Sequence, residues 1–495
     1  MKILSAEQTR KADQYTIENE PIPSIELMER ASAAFVKWFE SEFDPTHCIY
    51  VFCGTGNNGG DGLAVARMLI GNGYSVQIFV VGNIEVGSSD FKTNLDRLNS
   101  PYQRLDTKRD FPGVESDGVV VDAIFGSGLS REVGGLYAEV IHYLNNLGRV
   151  RVSIDIPSGL FADKHSEGVI FRSDYTVSFQ LPKLAFMFPE NHEYVGNWNV
   201  VNIGLSNDFI NAVSANTYYS SESEITQKVK RRGKFDHKGV FGKAMLVSGS
   251  LGKMGAAILC GKAALRSGLG LLTIYVPQCG YTIIQTALPE AMAIVDQNEE
   301  FISKIAVEDY SAIGIGPGIG KNKNTVNALA NLLNECKGTT VLDADALNIL
   351  SENRELIQLL PENSILTPHP KEFSRLVGNS ANDFERLEKQ KQFSADYDVI
   401  VVLKGAHTSI TAPDKSVFFN STGNPGMGTA GSGDVLTGVI TALVANGYSS
   451  IEAAIIGVYM HGLAGDLASR QKGQTGMIAS DIISCLPLAF QKFDK

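Results

Sequence analysis

Short apolar runs alternate along the chain with segments of helical periodicity. Residues 48–53 are an unbroken apolar run that ends in glycines, and residues 61–73 follow with helical spacing and stop at Gly71 or Gly73. Strand-like runs return at 75–82, 118–126 and 150–159, separated by a polar helix at 89–99 and a helix at 136–146. Two helices precede the first run. In residues 5–20, Ser5 and Gln8 have the spacing of a capping box. From Ser24 to Glu40, Ile25, Leu27, Met28, Ala31, Phe35 and Phe39 recur at near-helical intervals. Continuous apolar strands between helices predict a parallel sheet covered on both faces. Right-handed crossovers then make a Rossmann-like α/β domain, expected over residues 1–215.

The pattern lapses between about 206 and 235, where Ser, Asn, Thr and charge dominate, so the domain boundary is placed there. The basic cluster Lys228, Lys230, Arg231, Arg232 and Lys234 reads as part of a linker. A second α/β domain, 225–495, restarts the rhythm with strands at 243–249, 271–277, 311–318, 339–345, 364–369 and 399–405. Helices at 255–267, 434–446 and 451–468 belong to it, the last two closing the chain. The two halves share no order of motifs and are not duplicates.

Length and composition narrow the function. At 495 residues the chain has room for large cores without disulfide support. A net charge of −11 argues against nucleic acid as a partner. The six cysteines, at 48, 53, 260, 279, 336 and 485, lack zinc spacing and read as free thiols of a reducing compartment. The N-terminus has no apolar leader, and no stretch approaches the ~20 apolar residues of a membrane span. A cytoplasmic homo-oligomer acting on small molecules is therefore expected.

Candidate chemistry gathers at two glycine-rich loops. Gly54-Thr-Gly-Asn57-Asn58-Gly59-Gly60-Asp61-Gly62 follows a strand and opens a helix, where free N–H groups and the helix dipole favour an anion. It matches GxGxxG, but the next strand ends in Val81-Gly82-Asn83 without the acid that a dinucleotide ribose requires. Asp122 and Asp155 stand at later strand ends. With Asn58 and Ser158 they form a set of oxygen donors suited to an alkali or alkaline-earth cation. A turn cap for Asp122 and a buried hydrogen-bonded carboxylate for Asp155 are the plainer alternatives.

The second loop runs from Gly423 to Asp434 and precedes an apolar helix. Its Gly431-Ser432-Gly433 turn would offer N–H groups to phosphate. Asp434, in the first helical turn, is either a cap or an acid–base group beside that phosphate. Gly252-Lys253 is not a P-loop, because Met254 follows. Gly314 to Gly320 forms another glycine-rich strand end. His369, between Pro368 and Pro370, and Lys404, before Gly405, also stand at strand ends, whereas His461 on an apolar helix reads as packing.

These blocks resemble a known family. Gly56-Asn-Asn-Gly-Gly-Asp-Gly62, Val121-Asp-Ala-Ile-Phe-Gly126 and Asp155-Ile-Pro-Ser-Gly159 resemble NAD(P)H-hydrate epimerases. His237-Lys-Gly239, Gly314-Ile-Gly-Pro-Gly318, Asp343-Ala-Asp-Ala-Leu-Asn348, Thr367-Pro-His-Pro370 and Gly431-Ser-Gly-Asp434 resemble ADP-dependent NAD(P)H-hydrate dehydratases of ribokinase-like fold. Their order is that of the bifunctional repair enzymes. Lys371 stands where the family usually has glycine after the His-Pro pair.

The resemblance implies a substrate, the C6 hydrates of NADH and NADPH (NADHX and NADPHX), as R and S epimers. It implies an epimerase site of Asn57, Asn58, Gly59, Gly60, Asp61, Gly126, Ser127, Gly128, Leu129, Ser130, Arg131, Glu132 and Asp155, with Asp155 as the leading acid–base group. K+ would lie on Asn58, Asp122 and Ser158. The dehydratase substrate would meet Ala256, Gly318, His369 and Asp434, with Asp434 as general base. ADP, accompanied by Mg2+, would lie along Lys404, Gly405, Ala406, His407 and Thr408 and against Gly433. Two alternatives stand beside this. One is a vitamin-precursor alcohol kinase with a regulatory N-terminal domain; the other makes the N-terminal half a non-catalytic binding module.

Overall fold

The computed structural model describes residues 1–306, 309–336 and 338–494. The chain divides into two compact units: Lys2–Ala215 with Asn382–Phe384, and Met1 with Asn216–Ala381 and Glu385–Lys495.

The N-terminal unit is a seven-stranded sheet of β1 (Cys48–Cys53), β2 (Ser75–Val81), β3 (Gln103–Leu105), β4 (Val119–Ala123), β5 (Val150–Ile154), β6 (Tyr175–Phe179) and β7 (Asn197–Val201). All strand pairs are parallel, in the order β3-β2-β1-β4-β5-β6-β7. Alternate side chains of β1 feed two cores, as a period of two requires. Ile49 and Val51 pack with Phe35, Phe39 and Leu63 on one face. Tyr50 and Phe52 pack with Phe79, Val140 and Leu144 on the other. Strand order reverses between β1 and β4, which opens a crevice at their carboxyl ends. Two glycines let the crevice loops stack. A Cβ on Gly54 would lie 2.0 Å from the Ile124 carbonyl oxygen, and one on Gly59 1.8 Å from that of Gly54.

The C-terminal unit has ten strands: β8 (Thr217–Tyr219), β9 (Lys243–Val247), β10 (Leu271–Val276), β11 (Met292–Val295), β12 (Ala312–Ile315), β13 (Thr340–Leu342), β14 (Ile365–Leu366), β15 (Ile400–Leu403), β16 (Ser409–Thr411) and β17 (Val417–Phe419). Their order is β11-β10-β9-β12-β13-β14-β15-β16-β17-β8. Pairs from β11 to β15 are parallel, β16 runs antiparallel to both neighbours, and β8 lies parallel to β17. Helices Met254–Arg266, Ser432–Ala445, Ser450–Lys472 and Ala479–Gln491 bury one face around Cys260, Val439, Ile456 and Leu486. Helices Lys323–Glu335, Asp345–Glu352 and Pro370–Val377 cover the other around Leu329, Leu347 and Phe373.

Three expectations need correction. The region 206–235 is not a bare linker. It holds helix Asn207–Ala212, strand β8 and helix Glu222–Lys228. Its basic cluster is partly packed: Lys230 Nζ donates to the Gly447 carbonyl at 2.6 Å, and the Arg232 guanidinium lies 3.9 Å from the Phe241 ring centre. Helix Ser450–Lys472 is, by length and composition, apolar enough to cross a membrane, contrary to the expectation that no stretch is. Much of it is buried in the unit's own core, which accounts for its composition. Finally, Ala479–Gln491 is the last helix, with Pro487 inside it.

Candidate active sites

A cavity of about 1110 Å³ lies over the carboxyl ends of β1, β4, β5 and β6. Asn57, Asn58, Asp61, Gly126, Ser127, Gly128, Leu129, Ser130, Arg131 and Asp155 line it, as their strand-end positions lead one to expect. Helix Asn57–Gly71 starts at Gly56 with no side-chain cap, and a Cβ on Gly56 would meet nothing within 4 Å. Its first N–H groups are thus left for a ligand. Asn58 is only 8% exposed, and its Nδ2 has no partner among the described residues. Such an atom is costly unless something binds it. Gly59 and Gly60 do not line the cavity; they serve close packing, Gly60 against Met28. Glu132 is not on the wall either, and lies near Gly168.

Asp155 takes φ +64°, a left-handed conformation that costs a non-glycine residue about 1–2 kcal/mol. This turn at the end of β5 is held by tertiary contacts. Asp155 Oδ1 accepts from the Phe179 N–H at 3.0 Å and from Lys183 Nζ at 2.8 Å. Lys183 is 3% exposed, and its ammonium is also 3.3–3.4 Å from the carbonyls of Leu181 and Phe179. Asp13 and Asp61 share this cavity. Burial, with the charge of Asp155 next, pushes Asp13 up to about 7 and Asp61 well above the usual carboxylate range.

Asp122 lies behind the cavity wall with no exposed surface. Its carboxylate accepts from the Ser158 hydroxyl (2.6 Å) and N–H (2.8 Å), the Ser153 hydroxyl (3.0 Å) and the Ile124 N–H (3.2 Å). All four donors are neutral. Burial raises its pKa, and these hydrogen bonds offset only part of the rise.

In the C-terminal unit the sheet reverses between β9 and β12, and the following loops meet: Gly249 N–H donates to the Pro317 carbonyl at 2.8 Å. Gly318, at φ +68°, adjoins Ala256, whose Cβ would stand 3.2 Å from a Cβ on Gly318. Asp343, just past β13, is buried and accepts from Lys404 Nζ and the Thr437 hydroxyl, both at 2.8 Å. Burial alone would push it up; the Lys404 charge and these hydrogen bonds bring it below its ordinary value. Asp434 is drawn up to about 6 by burial first, then by the Asp343 charge, against the pull of Lys404. It stands in the first turn of Ser432–Ala445 and has no hydrogen-bond or ion-pair partner among the described residues. It caps nothing, so the cap alternative lapses. A Cβ on Gly433 would lie 3.4 Å from Lys404 Nζ and 3.6 Å from Asp343 Oδ2, which brings turn, lysine and carboxylate together.

The other C-terminal expectations fall out differently. His369 is the N-cap of Pro370–Val377: its Nδ1 accepts from the N–H groups of Lys371 (3.1 Å) and Glu372 (3.2 Å). This bonding leaves Nε2 as the protonated ring nitrogen. Within 405–408, the Thr408 hydroxyl and Gly405 bond to each other at 3.0–3.1 Å, Ala406 is exposed, and His407 Nδ1 lies 3.1 Å from the Asn420 carbonyl. His461 is buried in the helix core, as expected, and burial drives it down to about 4.

Comparison with known proteins places both halves. Residues 244–488 match the family described as NAD(P)H-hydrate dehydratase, and residues 24–185 match the YjeF-related protein N-terminus. The bifunctional NAD(P)H-hydrate repair enzyme of Moorella thermoacetica is 35% identical over 522 residues, covering 100% of this chain and 98% of that one. This chain belongs to the bifunctional NAD(P)H-hydrate repair enzymes. The Escherichia coli member is 30% identical, covering 97% of this chain and 92% of that one. A solved ADP/ATP-dependent NAD(P)H-hydrate dehydratase from Bacillus subtilis, co-crystallised with ATP and Mg2+, aligns at 30% identity and TM-score 0.50, covering 57% of this chain and 100% of that one. A ribokinase-like protein from Enterococcus faecalis aligns at 26% identity and TM-score 0.50, covering 57% of this chain and 98% of that one. The C-terminal unit is thus ribokinase-like. Because repair enzymes match the whole length, the reading as a kinase with a regulatory N-terminal domain loses its basis.

Two residues of the repair enzyme's first cavity escaped sequence reasoning. Lys183 carried a signal, since it is a lone charge in the apolar stretch 181–188. Asp13 lies outside the matched segment 24–185, on a helix whose polar stripe passes for a solvated face.

Proposed function

We propose that the N-terminal unit interconverts the R and S hydrates of NADH and NADPH, and that the C-terminal unit dehydrates the S epimer in an ADP-dependent step. The observation that carries this is Asp434: an uncommitted carboxylate beside a Gly-Ser-Gly turn, with Lys404 and Asp343 against the same turn. Water leaves poorly from C6. Asp434 would take the hydroxyl proton as an O–P bond forms and the nucleotide's terminal P–O bond breaks. N–H groups of the 431–433 turn and the Lys404 ammonium would meet the phosphoryl charge. Elimination of phosphate with the C5 proton then restores the C5–C6 double bond. In the N-terminal cavity Asp155, ion-paired with Lys183, acts as acid–base group, while the uncapped helix at Asn57 and the 126–131 loop hold the substrate.

Two ions fit these residues. Asp122 is a buried carboxylate with only neutral donors, and the Asn58 amide and Ser158 hydroxyl add neutral oxygens, so Asn58, Asp122 and Ser158 would hold K+, which supplies the missing counter-charge; the unpartnered Asn58 Nδ2 is a donor, left for the substrate. Mg2+ would be carried chiefly on the nucleotide's own phosphates, leaving the Asp434 carboxylate free to act as the base. The test is recovery of reduced-nicotinamide absorbance from both epimers with the purified chain. Recovery should require ADP and should consume both epimers. Recovery without nucleotide, or none with it, would defeat the proposal.

A further inference from the structure

Resting on the epimerase reading of the first cavity, we propose that Asp13 is a second catalytic residue there, the proton donor that works opposite the Asp155 carboxylate. The geometry sets the two carboxylates apart. Asp155 is tied to Lys183 Nζ at 2.8 Å and to the Phe179 N–H at 3.0 Å. Asp13 lines the same cavity from helix Ala6–Asn19 and has no hydrogen-bond or ion-pair partner among the described residues. Thr9, Asp13 and Ile17, one turn apart, all face the cavity, so this stripe lies along the substrate space. Charged groups facing Asp13 are Arg10 and Glu18 on its own helix, Asp61, Asp90 and Arg131 on the wall, and the Asp155–Lys183 pair. Burial, then Asp155, lifts Asp13 to about 7, with Lys183 opposing. An unpartnered carboxyl group that is about half protonated at pH 7 therefore shares a cavity with an ion-paired carboxylate, the usual division between acid and base.

The pair suits a hydroxyl on C6 next to ring N1. Asp155 takes the hydroxyl proton, a C6–O double bond forms, and the C6–N1 bond breaks with its electron pair moving to N1. Asp13 gives its proton to N1. Rotation about C5–C6 turns the other face of the carbonyl towards N1. N1 then attacks C6 and returns its proton to Asp13, while Asp155 returns its own to the oxygen. Nothing is oxidised, and no group leaves.

The experiment follows conversion of pure R epimer by the full-length chain without ADP, between pH 5.5 and 9, in the parent, Asp13→Asn and Asp13→Ala. ADP-dependent dehydration of the S epimer and thermal melting are measured on the same preparations. The parent rate should fall above about pH 7 as Asp13 loses its proton. Both variants should melt normally, keep S-epimer dehydration, and convert R about 100-fold more slowly, with no fall centred near pH 7. Conversion within threefold of the parent, or a variant that keeps the parent's alkaline fall, overturns the proposal. In oxygen-18 water the epimerised product should retain its C6 oxygen; exchange at every turnover overturns the ring-opening step. A parent chain that fails to convert R refutes the epimerase reading itself, a result distinct from either.

Discussion

Replacing Asp434 should move activity and stability in opposite directions. Its pKa rises from 3.8 to about 6, through burial first and then the Asp343 and Asp345 charges. A general base acts only when ionised, so S-epimer dehydration at saturating ADP should climb with pH through about 6 and then level off. At pH 5 about one-tenth of Asp434 would be ionised, and the rate should be about tenfold below its plateau. The stability sign is reversed. A carboxyl with a raised folded-state pKa stabilises the fold at low pH, and that contribution is lost as pH rises from about 4 through 6. The cost at pH 8 is at most about 3 kcal/mol, because solvent screens part of it. Asp434→Asn should therefore lower dehydration by about 10²–10⁴-fold while its Tm at pH 8 equals or exceeds the parent's. Lys404→Met removes the cation that lowers Asp434, and should shift the acidic limb upward as well as weaken turnover. Rate profiles and melts at matched pH provide the check. An Asp434→Asn enzyme that keeps the limb near pH 6, or that melts well below the parent at pH 8, would refute the reasoning.

Asp155→Ala should slow R-to-S conversion by about 100-fold or more and leave S-epimer dehydration intact, as read by the two assays on one preparation. Gly59→Ala drives a methyl into the Gly54 carbonyl and should cost the N-terminal unit about 1–3 kcal/mol by denaturant melt. Gly56→Ala, with nothing within 4 Å, should cost only about 0.5–1 kcal/mol, the preference of a helix N-cap for glycine over alanine. Asp122→Asn removes the buried charge that K+ would balance, so epimerisation should lose its response when K+ replaces a bulky organic cation.

Legibility in the sequence followed burial. Strands β1, β4, β9 and β15 are runs buried on both faces, and their composition announces them. Strands β6 and β7 both escaped: β6, though buried, carries Thr176 and Ser178 between its apolar residues, and the alternation of β7, Asn197–Val201, runs over only five residues. Strands β16 and β17 have three residues each, too few for a period to register. Site residues were legible where chemistry forces an unusual type: Asn58, Asp155 and Asp434 stand where a plain turn needs none of them. Asp13 was not, because a polar stripe on a surface helix has the same spacing whether it faces water or a cavity. His369 looked unusual between two prolines, and its ring in fact closes the end of a helix.

Strand β8 bears on how the two activities can be separated. Residues 217–219 follow the last residues of the first unit by a step or two, yet pair with β17 and close the edge of the second unit's sheet. A dehydratase fragment begun at about residue 225 would leave the β17 backbone of Val417–Phe419 unsatisfied along one side. An open edge of that kind recruits strands from other molecules. Such a fragment should be less stable, and should self-associate more readily, than one begun at Asn216, in which β17 keeps its partner. The stretch that reads in sequence as a disposable tether is, in this sense, the seal on the neighbouring fold.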